Sequence, residues 1–269
     1  MSAVILRNNP RLANSRTATI VRLHRQRACL GNVRFMASME QPARPPRFAP
    51  LDPAKQKAGD DRPQLKGIVF DVDGTLCLPQ NHMFAEMRAA LNIDKPTDIL
   101  DHIYSLPEAE QVEAQEKIRN IERKAMKSQQ PQAGLVELME YLDRRGIKKG
   151  ICTRNFDAPV THLLTTFLPS SKFNPIVTRE FRPPKPDPAG ILHIAKEWMH
   201  EDGGNSLIMV GDSIDDMTAG HRAGAATVLL VNEVNEHLSE HQHTDLVVKR
   251  LDDLIGILED GFVGRSKDE

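Results

Sequence analysis

The sequence lacks any long apolar run. None of its apolar stretches approaches the roughly 18 residues that a membrane-spanning helix needs, so no membrane partner is expected. Cysteine is scarce as well: Cys29, Cys77 and Cys152 show no paired spacing, which argues against a disulfide framework and against a zinc site. The sequence also contains neither a P-loop nor the glycine fingerprint of dinucleotide-binding folds.

Acidic residues are absent from residues 1–39, which contain seven arginines interspersed with Ser, Thr, Leu and Ile. This composition is typical of a mitochondrial transit peptide and predicts a protein of the mitochondrial matrix. The alternative is a cytoplasmic protein with a disordered basic tail. The whole chain carries a net charge of −2, so residues 40–269 carry −9. Such an acidic body is poorly suited to a phosphate backbone, and no nucleic-acid partner is expected.

A short strand that ends in two acids organises the rest of the chain. Ile68, Val69 and Phe70 form a β-branched and aromatic run that predicts a buried strand. If Asp71 and Asp73 follow the carboxyl end of a parallel strand, they form an all-oxygen pocket suited to Mg²⁺. The alternative is an ordinary strand followed by an Asp-Gly turn. A calcium-binding loop is excluded, because the glycine comes too early after the first acid.

Hydrophobic periodicity divides the chain into segments. Residues 40–63 are rich in proline and predict a linker. Residues 78–132 contain three apolar helical stripes without a strand signal, which predicts a small all-helical cap inserted after the first strand. In residues 64–77 and 133–262, apolar strands alternate with amphipathic helices. This alternation predicts an α/β fold with a doubly wound, mostly parallel, Rossmann-like sheet.

Four strand ends or loops present polar residues in chain order. These residues are Asp71 and Asp73, then Thr153, then Lys185, then Asp212 with Asp216. Together they resemble the four motifs of the haloacid dehalogenase (HAD) superfamily of phosphotransferases: D-x-D-G-T, a strand-end Thr or Ser, a Lys, and G-D-x-x-x-D. The resemblance covers about residues 65–258. Within the superfamily, the chain looks most like the relatives of phosphoglycolate phosphatase and β-phosphoglucomutase, and the helical insertion looks like their cap.

The resemblance implies covalent catalysis. Asp71 would attack phosphorus and form an aspartyl-phosphate. Asp73 would protonate the leaving oxygen and then activate water. A phosphate anion repels nucleophiles, so cationic and hydrogen-bonding groups must neutralise its charge. The residues implied to bind it are Thr153, Arg154, Asn155 and Lys185.

The resemblance also implies Mg²⁺ as the cofactor. Asp216 could instead orient Lys185 or a metal-bound water, and the neighbouring Asp215 fits the family spacing less well. The implied metal residues are Asp71, Asp73 through its backbone carbonyl, Asp212 and Asp216.

The acid at Asp73 favours phosphate chemistry, because dehalogenases release a halide that needs no proton. We therefore expect a Mg²⁺-dependent phosphatase that acts on a small phosphorylated metabolite, with the cap closing over the site. One alternative is a phosphomutase that uses Asp71 in the same way. Another is a non-catalytic regulatory or binding protein on the same scaffold, although the intact set of acids and Lys185 argues against it.

Overall fold

The computed structural model of the chain describes residues 48–265. The predicted transit peptide at 1–39 and the first part of the predicted linker lie outside these residues, and the transit peptide stays a prediction. Within residues 48–265, no helix combines the length and the apolar composition that crossing a bilayer requires.

The core is built on one sheet of six strands, in the order β3-β2-β1-β4-β5-β6, and every neighbouring pair is parallel. This confirms the predicted parallel, doubly wound sheet. Strand β1 lies in the interior of the sheet, between β2 and β4, so the order of the strands changes direction beside it. Ligands of open α/β sheets bind at such a point, beyond the carboxyl ends of the strands. The strands are β1 Gly67–Phe70, β2 Lys148–Cys152, β3 Ile176–Val177, β4 Leu207–Gly211, β5 Ala226–Leu230 and β6 Leu246–Val248.

Helices cover both faces of the sheet. Helices α4, α5 and α8 contribute to one apolar cluster with Ile68 and Phe70, whereas α6 and α7 pack with Val69 on the other face. The alternation arises because successive side chains of a strand point to opposite faces. Since both faces are buried, β1 is an uninterrupted apolar run, as the sequence predicted. These helices are α4 Leu135–Arg145, α5 Asp157–Phe167, α6 Ala189–Glu197, α7 Ile214–Ala223 and α8 Asp253–Asp260.

The insertion between β1 and α4 is helical, as its periodicity predicted. It consists of α1 Asn81–Leu91, α2 Ile99–Ser105 and α3 Glu108–Ala125, and we call it the cap. The cap has an apolar cluster of its own, separate from the two clusters of the sheet. Its buried members are Met83, Met87, Ile99, Leu100, Ile103, Ala114, Ile118, Ile121 and Ala125.

Two linkers join the cap to the core and pair with each other. The backbone N–H of Leu78 donates to the carbonyl of Gln130 at 2.9 Å, and that of Gln132 donates to the carbonyl of Leu76 at 3.1 Å. The Gln132 side chain also donates to the carbonyl of Gly74 at 3.2 Å. The cap therefore leaves the core beside the acidic turn that follows β1.

Residues 48–63 differ from the free linker that their proline content predicted. They contain only a 3₁₀ turn at Pro53–Lys55, but they pack on the core. The Phe48 ring is buried against Phe262, with ring centroids 5.7 Å apart, and the Leu51 N–H donates to the carbonyl of Leu258 at 2.8 Å. Proline prevented regular structure here, yet it did not prevent apolar side chains from covering the end of α8.

Candidate active site

The turn after β1 places both of its acids at the carboxyl edge of the sheet. The N–H groups of Thr75, Leu76 and Cys77 all donate to the carbonyl of Val72, which folds the backbone tightly. Gly74 has a φ of +86°, and a methyl group there would collide with the Asp212 carboxylate. Glycine is therefore required at this position, for its backbone angle and because the β4 loop approaches so closely.

The ammonium group of Lys185 lies between two buried carboxylates. It donates to Asp71 Oδ1 at 2.7 Å and to Asp216 Oδ1 at 2.5 Å. Burial lowers the pKa of Lys185, but the two carboxylates outweigh burial and hold that pKa above its ordinary value. Lys185 is thus a fixed positive charge against Asp71, the first acid of the turn after β1. The fold brings Asp71 and Lys185 into contact, although they are 114 residues apart in the sequence.

Asp216 is almost fully buried, and its two carboxylate oxygens contact different partners: Ser213 at the start of α7, and Lys185. Its Oδ2 accepts from the N–H of Ser213 at 3.0 Å and from the Ser213 hydroxyl at 2.6 Å. This capping box begins α7, and it leaves Oδ1 for Lys185. These contacts agree with the alternative in which Asp216 orients Lys185.

Three carboxylates form a cluster that could hold a cation. One oxygen from each of Asp71, Asp212 and Asp216 lies within 4.8 Å of the other two. Burial, together with the neighbouring acids, raises the pKa of Asp212 to about 8. Burial also raises the pKa of Asp71 to about 6, although Lys185 opposes the shift. One lysine does not balance these acids, and an all-oxygen donor set suits a small hard cation, so the residues fit Mg²⁺.

The carboxylate of Asp73 is not a member of this cluster. Its Oδ1 accepts a hydrogen bond at 3.3 Å from the N–H of Gln80, the residue that precedes α1 of the cap. Burial, and then the charge of Asp71, raises the pKa of Asp73 to about 7. A carboxyl group with such a pKa can hold or release a proton near neutral pH. The predicted metal contact through the Asp73 carbonyl stays a prediction.

The loop after β2 lies beside the acids. Thr153 and Asn155 are buried, and the Asn155 N–H donates to the Thr153 hydroxyl at 3.2 Å. Arg154 extends toward the cap, where its Nη2 donates to both oxygens of Asp98, while its Nη1 pairs with Asp215. Both terminal nitrogens of Arg154 are therefore occupied by carboxylates. Its predicted role in phosphate binding stays a prediction.

A second ion pair connects the cap to the core, and the sequence analysis missed it. Arg179 follows β3 and is buried with Glu122 of α3; Nη1 lies 2.9 Å from Oε1, and Nη2 lies 2.8 Å from Oε2. Arg179 also lies over the Phe156 ring at 5.2 Å. One sequence signal was available, because Glu122 interrupts the apolar stripe that contains Ile118 and Ala125.

These residues surround one cavity of about 820 Å³ between the core and the cap. All of the predicted site residues except Asp216 line it, and Asp216 lies behind Lys185. The core side contributes acidic, basic and polar side chains, whereas the cap contributes mainly apolar side chains with two bases and two acids. The cap residues on its wall include Phe84, Met87, Arg88, Lys95, Asp98, Ile99, Leu100, Ile118 and Glu122.

Comparisons with known proteins agree with this geometry. Residues 65–224 match a family model described as a haloacid dehalogenase-like hydrolase. The chain is 52% identical over 199 residues to the uncharacterized hydrolase YOR131C of Saccharomyces cerevisiae, covering 72% of this chain and 90% of that protein. Among solved structures, a hydrolase from Pseudomonas syringae is similar with a TM-score of 0.62 and 25% identity, covering 72% of this chain and 98% of that one. CbbY from Rhodobacter sphaeroides, in complex with phosphate, is similar with a TM-score of 0.55 and 20% identity, covering 71% and 96%.

Proposed function

The chain belongs to the haloacid dehalogenase-like hydrolase family, and on this premise we propose that it is a Mg²⁺-dependent phosphatase of small phosphomonoesters. One observation carries the proposal: a buried lysine, Lys185, holds Asp71 at the floor of a cavity that Asp73 also lines. A nucleophile, a fixed cation and a separate proton donor are the groups that phosphoryl transfer to a carboxylate requires.

Asp71 is the proposed nucleophile. Lys185 donates to Oδ1, so Oδ2 is the oxygen that we propose attacks phosphorus. The new Oδ2–P bond forms as the ester P–O bond breaks, and the product is an aspartyl-phosphate on Asp71. Lys185 and the Thr153 hydroxyl stabilise the charge on the transferring group. Bound at the carboxylate cluster, Mg²⁺ would neutralise further charge on the phosphate oxygens.

Asp73 is the proposed general acid and base. Its carboxyl group gives a proton to the departing alkoxide, which leaves as an alcohol. The resulting carboxylate then takes a proton from water as the water oxygen attacks the phosphorus of the aspartyl-phosphate. This step releases inorganic phosphate and restores the carboxylate of Asp71. The contact with the N–H of Gln80 fixes Asp73 outside the metal cluster, where it can reach a leaving group on the cap side.

The cavity supports a small metabolite as the substrate. Its volume of about 820 Å³ falls within the range that small-molecule sites span, and cap residues form part of its wall. Closure of the cap on a bound substrate would exclude water that otherwise screens the charges around the phosphate. The similar protein CbbY was solved in complex with phosphate, which is the group that all the proposed substrates share.

The test is phosphate release from p-nitrophenyl phosphate by the purified chain, with Mg²⁺ and with EDTA. We expect release only with Mg²⁺, and a loss on the order of 10⁴-fold in Asp71→Asn, as for other catalytic nucleophiles. Asp187→Asn, outside the carboxylate cluster, is the matched control. Equal rates for Asp71→Asn and the wild type would overturn the proposed role. Release of p-nitrophenol without an equal release of inorganic phosphate would show transfer to another acceptor and would favour the phosphomutase.

The basic segment at 1–39 supports a separate proposal, import into the mitochondrial matrix. A fluorescent protein fused after residue 39 should colocalise with a matrix marker. The same fusion with its seven arginines replaced by glutamine should not. A cytoplasmic signal from both fusions would contradict the proposal.

A further inference from the structure

We propose that Arg88 and Lys95 of the cap form a subsite for a second anionic group of the substrate. The inference rests on the phosphatase function proposed above and narrows its substrate class. The preferred substrates would be phosphomonoesters with a carboxylate or a second phosphate at the end remote from the ester bond. The observation behind it is the distribution of paired and unpaired charges around the cavity.

Five cationic side chains line the cavity, and three of them already have carboxylate partners. Lys185 is assigned to the reacting phosphate, and the carboxylates beside Arg154 and Arg179 largely cancel their charges, so none of the three is free for a second anionic group. The pairs are Lys185 with Asp71, Arg154 with Asp98, and Arg179 with Glu122.

Arg88 and Lys95 are the other two cations. Within residues 48–265, no carboxylate lies within ion-pair distance of either side chain. Both come from one region of the cap, since Arg88 lies in the last turn of α1 and Lys95 in the loop that follows it. Asp98 and Glu122 of the cap are paired with Arg154 and Arg179 of the core, so the charges without an ion-pair partner on the cap side of the cavity are both positive.

The guanidinium group of Arg88 contains a hydrogen-bond donor that lacks an acceptor. Its Nε is buried and has no hydrogen-bond partner within the described residues, and its Nη1 makes only a long contact of 3.4 Å with the carbonyl of Phe84. A buried donor without a partner is costly, so such groups in folded proteins usually meet a ligand, an ion or water. A carboxylate or a phosphate presents two oxygens to a guanidinium, which matches its planar fork.

The surroundings of Arg88 would strengthen such a contact. Phe84 and Met87 of α1 line the same wall, with Ile99 and Leu100 of α2. Charges interact more strongly beside apolar side chains than in bulk water. The same side chains offer an apolar surface to the carbon chain between the two anionic groups. The cavity thus combines the proposed phosphate site on the core with apolar side chains and two unpaired positive charges on the cap.

The test compares three substrates that differ only at the far end, with the full chain in Mg²⁺. Propyl phosphate has no second charge, phosphooxypropanoate adds a carboxylate, and propanediol bisphosphate adds a phosphate. We expect kcat/KM for at least one charged substrate to exceed that for propyl phosphate by about 10-fold or more, as charge-assisted hydrogen bonds allow. The charged substrate with the higher kcat/KM shows whether the subsite prefers a carboxylate or a phosphate.

Variants at Arg88 and Lys95 test whether these cap residues cause the preference for a charged substrate. Arg88→Gln should reduce the ratio of charged to uncharged kcat/KM by about 10-fold, and Arg88→Lys should restore part of it. Lys95→Gln, at an exposed position, should reduce the ratio less, by about 2- to 5-fold. Lys117→Gln on α3 removes a charge that does not line the cavity, and it should leave the ratio unchanged.

Failure of the subsite and failure of the phosphatase function give different results. If propyl phosphate is hydrolysed as well as the charged substrates, or if Arg88→Gln keeps the wild-type ratio, the subsite is wrong while the phosphatase remains. If no ester is hydrolysed, the phosphatase function fails, and calorimetric binding of the same three compounds decides the subsite. Tighter binding of the charged compounds would support it, and equal binding would overturn it.

Discussion

Arg154 in the loop after β2 forms an ion pair with Asp98 of the cap: its Nη2 lies 2.7 and 2.6 Å from the two carboxylate oxygens. Asp98 also begins α2, because its Oδ1 accepts from the N–H groups of Leu100 and Asp101. One carboxylate therefore fixes both the start of a cap helix and its contact with the core. Arg154, which follows Thr153 after β2, thus contacts the cap from the same loop that contains the predicted phosphate-binding residues.

Asp98→Asn should weaken this contact without removing the helix cap, because Asn and Asp begin helices about equally well. We expect KM for a small phosphate ester to rise by roughly 3- to 10-fold, since a half-exposed charged hydrogen bond contributes little more than that. The effect should shrink as salt is added. Asp101→Asn removes the same charge from the same helix and should leave KM unchanged. Equal KM values for the two variants would contradict a role in cap closure.

Asp73→Asn should separate proton transfer from the attack by Asp71. We expect the hydrolysis of an alkyl phosphate to fall by about 10²- to 10⁴-fold. The loss on p-nitrophenyl phosphate should be smaller, because its leaving group departs with little help from a proton. Rates for both substrates, measured in the same preparation, check this expectation. The general-acid role would not survive an equal loss on the two substrates.

The metal-free protein should lose stability as pH rises through the neutral range. Burial raises the pKa of Asp212 to about 8, far above the value of about 4 for an unfolded aspartate. Between these two pH values the folded state binds more protons than the unfolded state, so the free energy of unfolding falls as pH increases. Denaturant titrations in EDTA should show this slope, and Asp212→Asn should flatten it.

Mg²⁺ should oppose that loss, because it neutralises the same carboxylates and binds only the folded state. Added Mg²⁺ should raise the denaturation midpoint of the wild type more at pH 8 than at pH 6. At each of these pH values, the rise should be smaller for Asp212→Asn than for the wild type. Asp61→Asn, at an exposed position, serves as the control and should respond like the wild type. A wild-type midpoint that does not respond to Mg²⁺ would argue against a cation site at these acids.

Residues 48–63 should contribute to stability. A chain that begins at residue 64 loses the packing of Phe48 on Phe262 and should unfold with a free energy at least about 2 kcal/mol lower than a chain that begins at residue 48. Phe48→Ala in the longer chain should reproduce much of this difference, because it removes the ring alone. Chemical denaturation of the three proteins measures it. Equal stabilities would mean that the segment is the free linker its composition suggested.

Local patterns explain why so much of the core could be predicted. The apolar run at Ile68–Phe70 is buried on both faces, and the helical stripes of residues 78–132 form the cap that their spacing of three and four residues indicated. Asp71, Thr153 and Asp212 share one edge because parallel strands end at the same level: Phe70 pairs with Ile151 and with Val210. A sequence can reveal such sites when each residue follows its own strand directly.

The sequence by itself determined the strands, the cap helices and the acids at the strand ends, since each depends on residues that are neighbours in the chain. Only the tertiary structure decided which charges neutralise one another. Arg154 meets Asp98 across 56 residues, and Arg179 meets Glu122 across 57, so these pairs exist only once the cap is seated on the core. The same folding leaves Arg88 without a carboxylate partner in the described part of the chain. An unpaired charge in a cavity is a property of the whole assembly of elements, because the Coulomb energy depends on distances in space and not on separation along the sequence.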